Sequence, residues 1–306
     1  MNRFFSSRTP NRGSSLMVVL WALFLLSAAV MAWAKWIQQD LQLTGQANAG
    51  LEASAMAHSG VAMALNPRIS LESPQLEREV DSGLGYRVRM ISEGGKLHIN
   101  WLLAGEDPRK ITILKSWLTS MGLDILERDT VVDCLLDYVD NDNVKRLNGC
   151  EDDGDYHPAN RPFLTLEEIP HVRGIEALTS KPGWKENLTL YSNGLIEVVS
   201  ASPEVLRALP GFGDARIVRF IEYRAGVDKI LGTADDPPFK SLEEVRSFMG
   251  MSKTQFDELG QLIGIKDPAS AVMRITSVGH SGKVIRQVEL VARKSGLNPA
   301  ILYWKE

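Results

Sequence analysis

Leu16 to Ala34 reads LMVVLWALFLLSAAVMAWA, nineteen residues without a charge. As a helix rising about 1.5 Å per residue it spans about 28 Å, close to the hydrocarbon thickness of a bilayer. Arg3, Arg8 and Arg12 precede it, and no acidic residue occurs before Asp40. That imbalance predicts that residues 1–13 stay in the cytoplasm while the rest is delivered across the membrane. Trp33 and Trp36, with Lys35 between them, suit the far interface, where amphipathic rings and a snorkelling amine are at home.

Three signals fit this stretch. Ala32-Trp33-Ala34 supplies a secretory cleavage site, although the apolar run exceeds the ~7–15 residues of such signals. An uncleaved membrane anchor fits as well. The third is the class III signal of type IV pilin-like proteins: a short basic leader ends in glycine and is cut off, and the apolar helix is retained. Gly13 stands three residues ahead of the run. The following residues favour this third reading. Helical character persists to about Leu65, with Ile37 and Leu41 four apart and Leu51, Ala55, Ala62 and Leu65 forming a narrow, Ala-rich stripe that also carries His58 as a packed side chain. Pro67 closes the helix. A cleaved secretory signal needs no such continuation, whereas in a pilin-like chain the outer half of the helix packs on a small sheet.

Strand patterning follows. Leu84, Tyr86, Val88 and Met90 alternate with Gly85, Arg87 and Arg89, and Leu97 to Trp101 alternates again after Gly94-Gly95, which predicts a β-hairpin with His98 facing solvent. The pattern stops there and returns at Ala271–Val278, Val284–Ala292 and Ile301–Trp304, with His280-Ser281-Gly282-Lys283 as a turn. Between the two β-rich blocks the chain reads mainly as short capped helices. Ile111, Leu114, Trp117, Leu118 and Met121 share a helical face, Val131 to Tyr138 make a second helix, and Thr165/Glu168 and Ser241/Glu244 have capping-box spacing. Ser202-Pro203 opens another helix.

The predicted class is therefore α+β, a pilin-like fold with a large inserted α-helical domain. Its parts are a leader at 1–13, a long helix at 14–66 (membrane segment 16–34), a sheet domain from 67–107 and 268–306, and the insertion at 108–267. Chain ends meeting in one sheet would close such an insertion.

With 306 residues, 44% apolar and 24% charged, the chain has ample material for a buried core. A net charge of −4 gives no general ground for a nucleic-acid partner. Cys134 and Cys150 are the two cysteines, and export to an oxidising compartment would permit a bridge between them. Asp133 to Asp155 holds Asp133, Asp137, Asp140, Asp142, Glu151, Asp152, Asp153 and Asp155 against Lys145 and Arg146. Such a density of hard oxygen ligands suits either a solvated loop or calcium, and the spacing is not that of an EF-hand. Asp228, Asp235 and Asp236 around Gly232-Thr233 form a weaker second cluster. Leu209-Pro-Gly211-Phe-Gly213 before a helix has the form of a helix-hairpin-helix turn that grips phosphate, which opens an alternative: a membrane-anchored DNA-binding or uptake protein. Ile217 stands where that element usually has a small residue, and Asp214 and Glu222 dilute Arg216, Arg219 and Arg224, so an architectural hairpin is the better reading. No nucleophile elbow, zinc-protease, Walker or dinucleotide motif occurs, and His58, His98, His157, His171 and His280 are scattered. The chain is not expected to be an enzyme.

These pieces resemble minor pseudopilin K of type II (general) secretion systems over nearly the whole chain. The resemblance rests on Gly13-Ser14 with the apolar helix, Leu136-Asp-Tyr-Val-Asp140-Asn-Asp142, Asn148-Gly-Cys-Glu151-Asp152 and Pro162-Phe163. It continues through Leu166 to Gly174 and Leu195 to Gly211. Val18 occupies the fifth mature position, where major pilins carry a glutamate and this family typically does not. The resemblance implies cleavage after Gly13 by a prepilin peptidase, methylation of Ser14, and an inner-membrane start with the body in the periplasm. It also implies a place at the pseudopilus tip with minor pseudopilins I and J, above the major pseudopilin and the inner-membrane assembly platform, with the secretin or cargo as further contacts. Calcium in the helical domain is implied too, carried here onto Asp140, Asp142, Glu151 and Asp152.

Overall fold

The computed structural model describes residues 12–71, 73–229, 235–265, 271–294 and 299–306. Helix α1 (Arg12–Leu65) is a single rod of 54 residues. From Ser15 to about residue 47, including Leu16, Trp21, Phe24 and Trp33, it is exposed, and it is long and apolar enough to cross a membrane. Most of the expected leader lies outside the described residues.

The buried stripe of α1 differs from the predicted one. Ala53, Ala57, Val61 and Ala64 are buried, while Leu51 is 71% exposed. Close approach decides this. On the facing strand, a Cβ at Gly279 would come within 2.0 Å of the Ala53 carbonyl oxygen. Only a row of small residues lets the two backbones lie this near, so the larger leucine is turned outward. Ser277 Oγ, fully buried on the same strand, donates to the Ala57 carbonyl at 2.7 Å. His58 stacks on Trp304 with ring centroids 5.8 Å apart, a packed histidine as expected.

Strands β1 (Glu77–Asp81) and β2 (Leu84–Ser92) lead to a one-turn 3₁₀ segment at Glu93–Gly95, followed by the short β3 (Leu97–His98) and α2 (Ile99–Leu103). The insertion continues with α3 (Pro108–Ser120), α4 (Ile125–Val139), α5 (Glu176–Thr179), β4 (Leu188–Thr189), β5 (Ile196–Glu197) and α6 (Pro203–Arg207). It ends with α7 (Asp214–Arg224), α8 (Leu242–Met249), α9 (Lys253–Asp257) and β6 (Ile263–Gly264). The chain then returns through β7 (Val272–Ser281), β8 (Val284–Arg293) and β9 (Ala300–Lys305). Among the described residues, one antiparallel five-stranded sheet runs β1-β2-β7-β8-β9. β2 pairs with β7 from Leu84↔Ser281 to Ser92↔Met273, so the early and late strands do share a sheet and close the insertion at its base.

The hairpin expected around Gly94-Gly95 does not form. Both edges of β2 are already taken, by β1 and β7, so Leu97-His98 pairs in parallel with β4 instead. The hairpin lies upstream, at β1 and β2. Ile99–Leu103 turns helical, and His98 Nδ1 accepts the Trp101 amide at 3.2 Å, a half-buried cap in place of the solvent-facing side chain expected. Leu97, Ile99 and Leu102 are buried in the insertion's own core, so the chain enters the insertion ahead of residue 108. The predicted return near residue 267 lies outside the described residues. That core gathers Leu114, Trp117 and Leu118 of α3 with Val131 and Leu135 of α4. A second core joins Ala57, Val61 and Ala64 of α1 to Tyr86, Ile275 and Leu290 of the sheet.

Two helix starts merit correction. α4 begins at Ile125, ahead of Val131, because Asp124 and Glu127 form a reciprocal capping box. The Thr165/Glu168 box opens a 3₁₀ run, Leu166–His171, which Pro170 keeps from continuing as an α-helix. Ser241 and Ser202 cap α8 and α6 as predicted, their hydroxyls accepting the amides of Glu244 and Val205.

Candidate functional site

Helix α4 delivers acidic side chains to its last two turns. Asp133 and Asp137 lie four residues apart on one face, and Asp140 caps the C-terminus. Anions at a helix C-terminus are disfavoured by the dipole, so this end needs a cation. The loop that follows folds back over it. Asp133 Oδ2 accepts the Asn148 amide at 3.1 Å and its Nδ2 at 3.0 Å. Gly149 crosses directly over Asp137, where a Cβ would come within 1.9 Å of Asp137 Oδ2. The crossing carries Glu151 inward.

Carboxylate oxygens of Asp137, Asp140 and Glu151 lie within 4.8 Å of one another. Two oxygens on one calcium ion can be at most about 5 Å apart, twice the usual Ca–O distance, so the three can share a single hard cation. Asp137 is fully buried and Glu151 only 6% exposed. Arg146 supplies the protein's own counter-charge: Nη1 bonds Asp137 Oδ1 at 2.6 Å and Asp140 Oδ2 at 2.5 Å, and Nη2 bonds Glu106 at 2.7 Å. Both Glu151 oxygens and Asp140 Oδ1 are buried with no hydrogen-bond partner. Burial, reinforced by Asp137 and Asp140, raises the Glu151 pKa above its ordinary value. A carboxylate shielded from solvent with no side-chain donor or cation is costly, so this arrangement suits a bound ion.

The expected ligands divide. Asp140 and Glu151 are in the cluster. Asp142 is exposed and accepts the Val144 amide at 2.8 Å in a local turn, and Asp152 is exposed beside His157 Nδ1 at 3.1 Å. Asp137 is the third member of the cluster. Its spacing from Asp140, one helical turn, was the available signal. Among the described residues, Asp228, Asp235 and Asp236 do not form such a group. Asp235 Oδ2 braces a turn by accepting the Val227 and Asp228 amides at 2.5 and 3.0 Å, while Gly232-Thr233 lies outside the described residues. Cys134 and Cys150 are free thiols with Sγ atoms 2.9 Å apart, next to the cluster on α4 and on the loop. Gly13 and Ser14 fall in the first turn of α1.

The Gly211–Gly213 turn joins α6 to α7, and its cations are engaged within the fold. Arg207 Nε bonds Asp214 at 2.9 Å, Arg216 Nη1 bonds the Gly211 carbonyl at 3.2 Å, and buried Arg224 donates to the carbonyls of Val198, Val199 and Ala201. Asp214 sits in the first turn of α7, where a phosphate would have to approach. The hairpin is built as architecture.

Residues 95–181 match the family model described as Type II secretion system (T2SS), protein K. That span opens where the chain leaves β2 and contains the whole carboxylate cluster. Among solved structures the chain is similar to a chain of the GspK-GspI-GspJ complex from the enterotoxigenic Escherichia coli type 2 secretion system, with 13% identity and a TM-score of 0.58 over 88% of this chain and 97% of that one. No curated protein sequence matches. The structural likeness speaks to the fold, a pilin-like helix and sheet with a helical insertion. The chain thus sets a segment similar to protein K of type II secretion systems, residues 95–181, into that fold.

Proposed function

We propose that this chain is a non-enzymatic minor pseudopilin at the tip of the type II secretion pseudopilus, where it starts or caps assembly for the export of folded proteins. The observation that carries this reading is one continuous rod, exposed along its apolar half and bound tightly to a sheet beyond it, with the insertion rooted on that sheet. Such a rod can be drawn out of lipid into a bundle of like helices, while a body this bulky leaves no room for a subunit above. Val18 suits the same place, since a carboxylate there would be costly without a neighbour's amine. The complex solved with GspI and GspJ supports the corresponding pseudopilins as partners. A prepilin peptidase cuts after Gly13 and methylates Ser14, leaving the helix in the inner membrane and the body in the periplasm.

Immunogold labelling of pseudopili is expected to mark one end alone, and label along the shaft would overturn the tip assignment. The intact mass of the mature protein should lack residues 1–13. A chain beginning beyond Ala34 would be a secretory substrate instead.

Within the insertion, Asp137, Asp140 and Glu151 hold calcium, a reading supported by the orphaned Glu151 carboxylate. Calorimetric titration of the full chain in detergent tests it: Glu151→Gln should abolish binding. In the periplasm Cys134 and Cys150 form a bridge that pins the loop to α4.

A further inference from the structure

Arg146 is an unusual neighbour for a calcium site. Three carboxylates bring three negative charges, and the guanidinium supplies one positive charge, so the deficit equals the charge of one divalent ion. The guanidinium takes one oxygen of Asp137 and one of Asp140, which a cation would also draw on, and gives nothing to Glu151. Asp137 Oδ2 also accepts the Arg146 amide at 3.3 Å, so the backbone holds this residue beside the cluster. Its second nitrogen is held by Glu106, a half-exposed residue outside the cluster. A guanidinium does not lose its proton in a protein, so the charge is a fixed part of the site.

We infer that Arg146 is a built-in competitor of the ion: it holds Asp137 and Asp140 together when calcium is absent and lowers the affinity of the site when calcium arrives. The inference rests on the calcium reading above. Two physical consequences follow. Without the guanidinium, three like charges face one another in a poorly solvated space, and the ion-free fold loosens. With calcium present, a positive charge a few ångströms from the ion is removed, and binding tightens. A chain translocated before it meets calcium gains from such an arrangement, because its loop is ordered before the ion binds.

The test compares wild type, Arg146→Gln and Arg146→Lys as full chains in detergent, by calcium calorimetry and by melting in chelator and in calcium. Arg146→Gln should melt lower in chelator and bind calcium about tenfold tighter or more. Arg146→Lys keeps the charge and loses the fork, so its calcium affinity should stay close to wild type. It also provides the measurement if Arg146→Gln does not fold without the ion. If wild type binds calcium and Arg146→Gln binds equally or less well, the competitor role is wrong and the site stands. A gain by Arg146→Lys as large as that of Arg146→Gln would also overturn it, since charge would then not matter. Calcium binding by Arg146→Gln alone would support the inference in its strongest form. Should no variant bind, the calcium reading fails and takes this inference with it.

Discussion

Glu93 and Glu151 are the same side chain with similarly little exposed surface, 0% and 6%, although Glu93 lies far deeper, and the fold treats them in opposite ways. Glu93 sits where β2 ends and the insertion begins. It receives Lys96 Nζ at 2.8 Å, Arg274 Nε from β7 at 2.7 Å, and a hydrogen bond from Thr189 Oγ1 of β4. Burial pushes its pKa up, but the charges and hydrogen bonds of Lys96 and Arg274 outweigh that and hold it below the ordinary value. One carboxylate thus ties the departing strand, the returning strand and the insertion together. Glu151 has the desolvation and the repulsion of Asp137 and Asp140, with no side-chain donor to offset them, and its pKa moves up. The contrast teaches that loss of exposed surface alone does not decide an acid's ionisation. What matters is whether the chain itself supplies the cation, and at Glu151 it does not.

The largest effect expected from this contrast is at the junction. Glu93→Gln leaves Arg274 and Lys96 buried against a neutral amide, and breaking a buried pair from one side typically costs about 3–5 kcal/mol. Arg274 keeps Glu289, which places the expected loss near the lower bound, about 3 kcal/mol. Denaturant unfolding of the full chain in detergent would measure it. A loss no greater than that of an exposed pair, such as Arg87–Glu77, would mean the junction is held by packing alone.

The second test concerns what holds Glu151 in place. Cys150 precedes it directly, and its Sγ lies 2.9 Å from that of Cys134, with burial pushing the Cys134 thiol pKa up. A bridge across a loop of this size stabilises by about 2–3 kcal/mol. Protein purified from the periplasm without reductant should therefore weigh less by two hydrogens. Replacing both cysteines by serine should lower the melting temperature in chelator, and calcium should recover part of the loss, since ion and bridge hold one loop. Full recovery of two free thiols from that compartment would exclude the bridge.

These carboxylates also mark how far the sequence could be read. Leu84–Met90, Val284–Ala292 and the uncharged run from Leu16 declare their elements through local pattern, and the two β-rich blocks imply a shared sheet. On α1 hydrophobicity points to Leu51, whereas the buried row is chosen by how closely Gly279 lets two backbones approach. Local pattern around Gly94-Gly95 predicts a hairpin because nothing local shows that both edges of β2 are occupied. At the site, acidic density between Asp133 and Asp155 was visible, but which members a returning loop would bury was not. Asp137 has its one-turn spacing from Asp140 to suggest it, whereas Arg146 emerges only once Gly149 crosses the helix. Glu93 was invisible for a similar reason: Thr189 and Arg274, which satisfy it, come from distant parts of the chain.

The smallest expected effects are the most discriminating. Replacing Glu151 by glutamine removes an unpaired charge, so in chelator the variant should be more stable than wild type by about 1–2 kcal/mol. In calcium the order should reverse. The pH dependence sharpens this, because the two acids carry opposite signs. A carboxyl whose pKa is raised on folding binds its proton more tightly in the folded state. In chelator, Glu151 should therefore add stability as the pH falls through its folded pKa toward the ordinary value of 4.5, and nothing further below that. Glu93 is lowered, so its contribution is complete above 4.5 and lost as the pH falls through its folded pKa. Other carboxylates titrate in the same range, but subtracting the Glu151→Gln curve from wild type isolates the first arm. With calcium the difference curve should change sign, because protons then compete with the ion for the same oxygens. A difference curve that is flat in chelator and in calcium alike would mean that Glu151 is solvated, and the contrast with Glu93 would lose its physical basis.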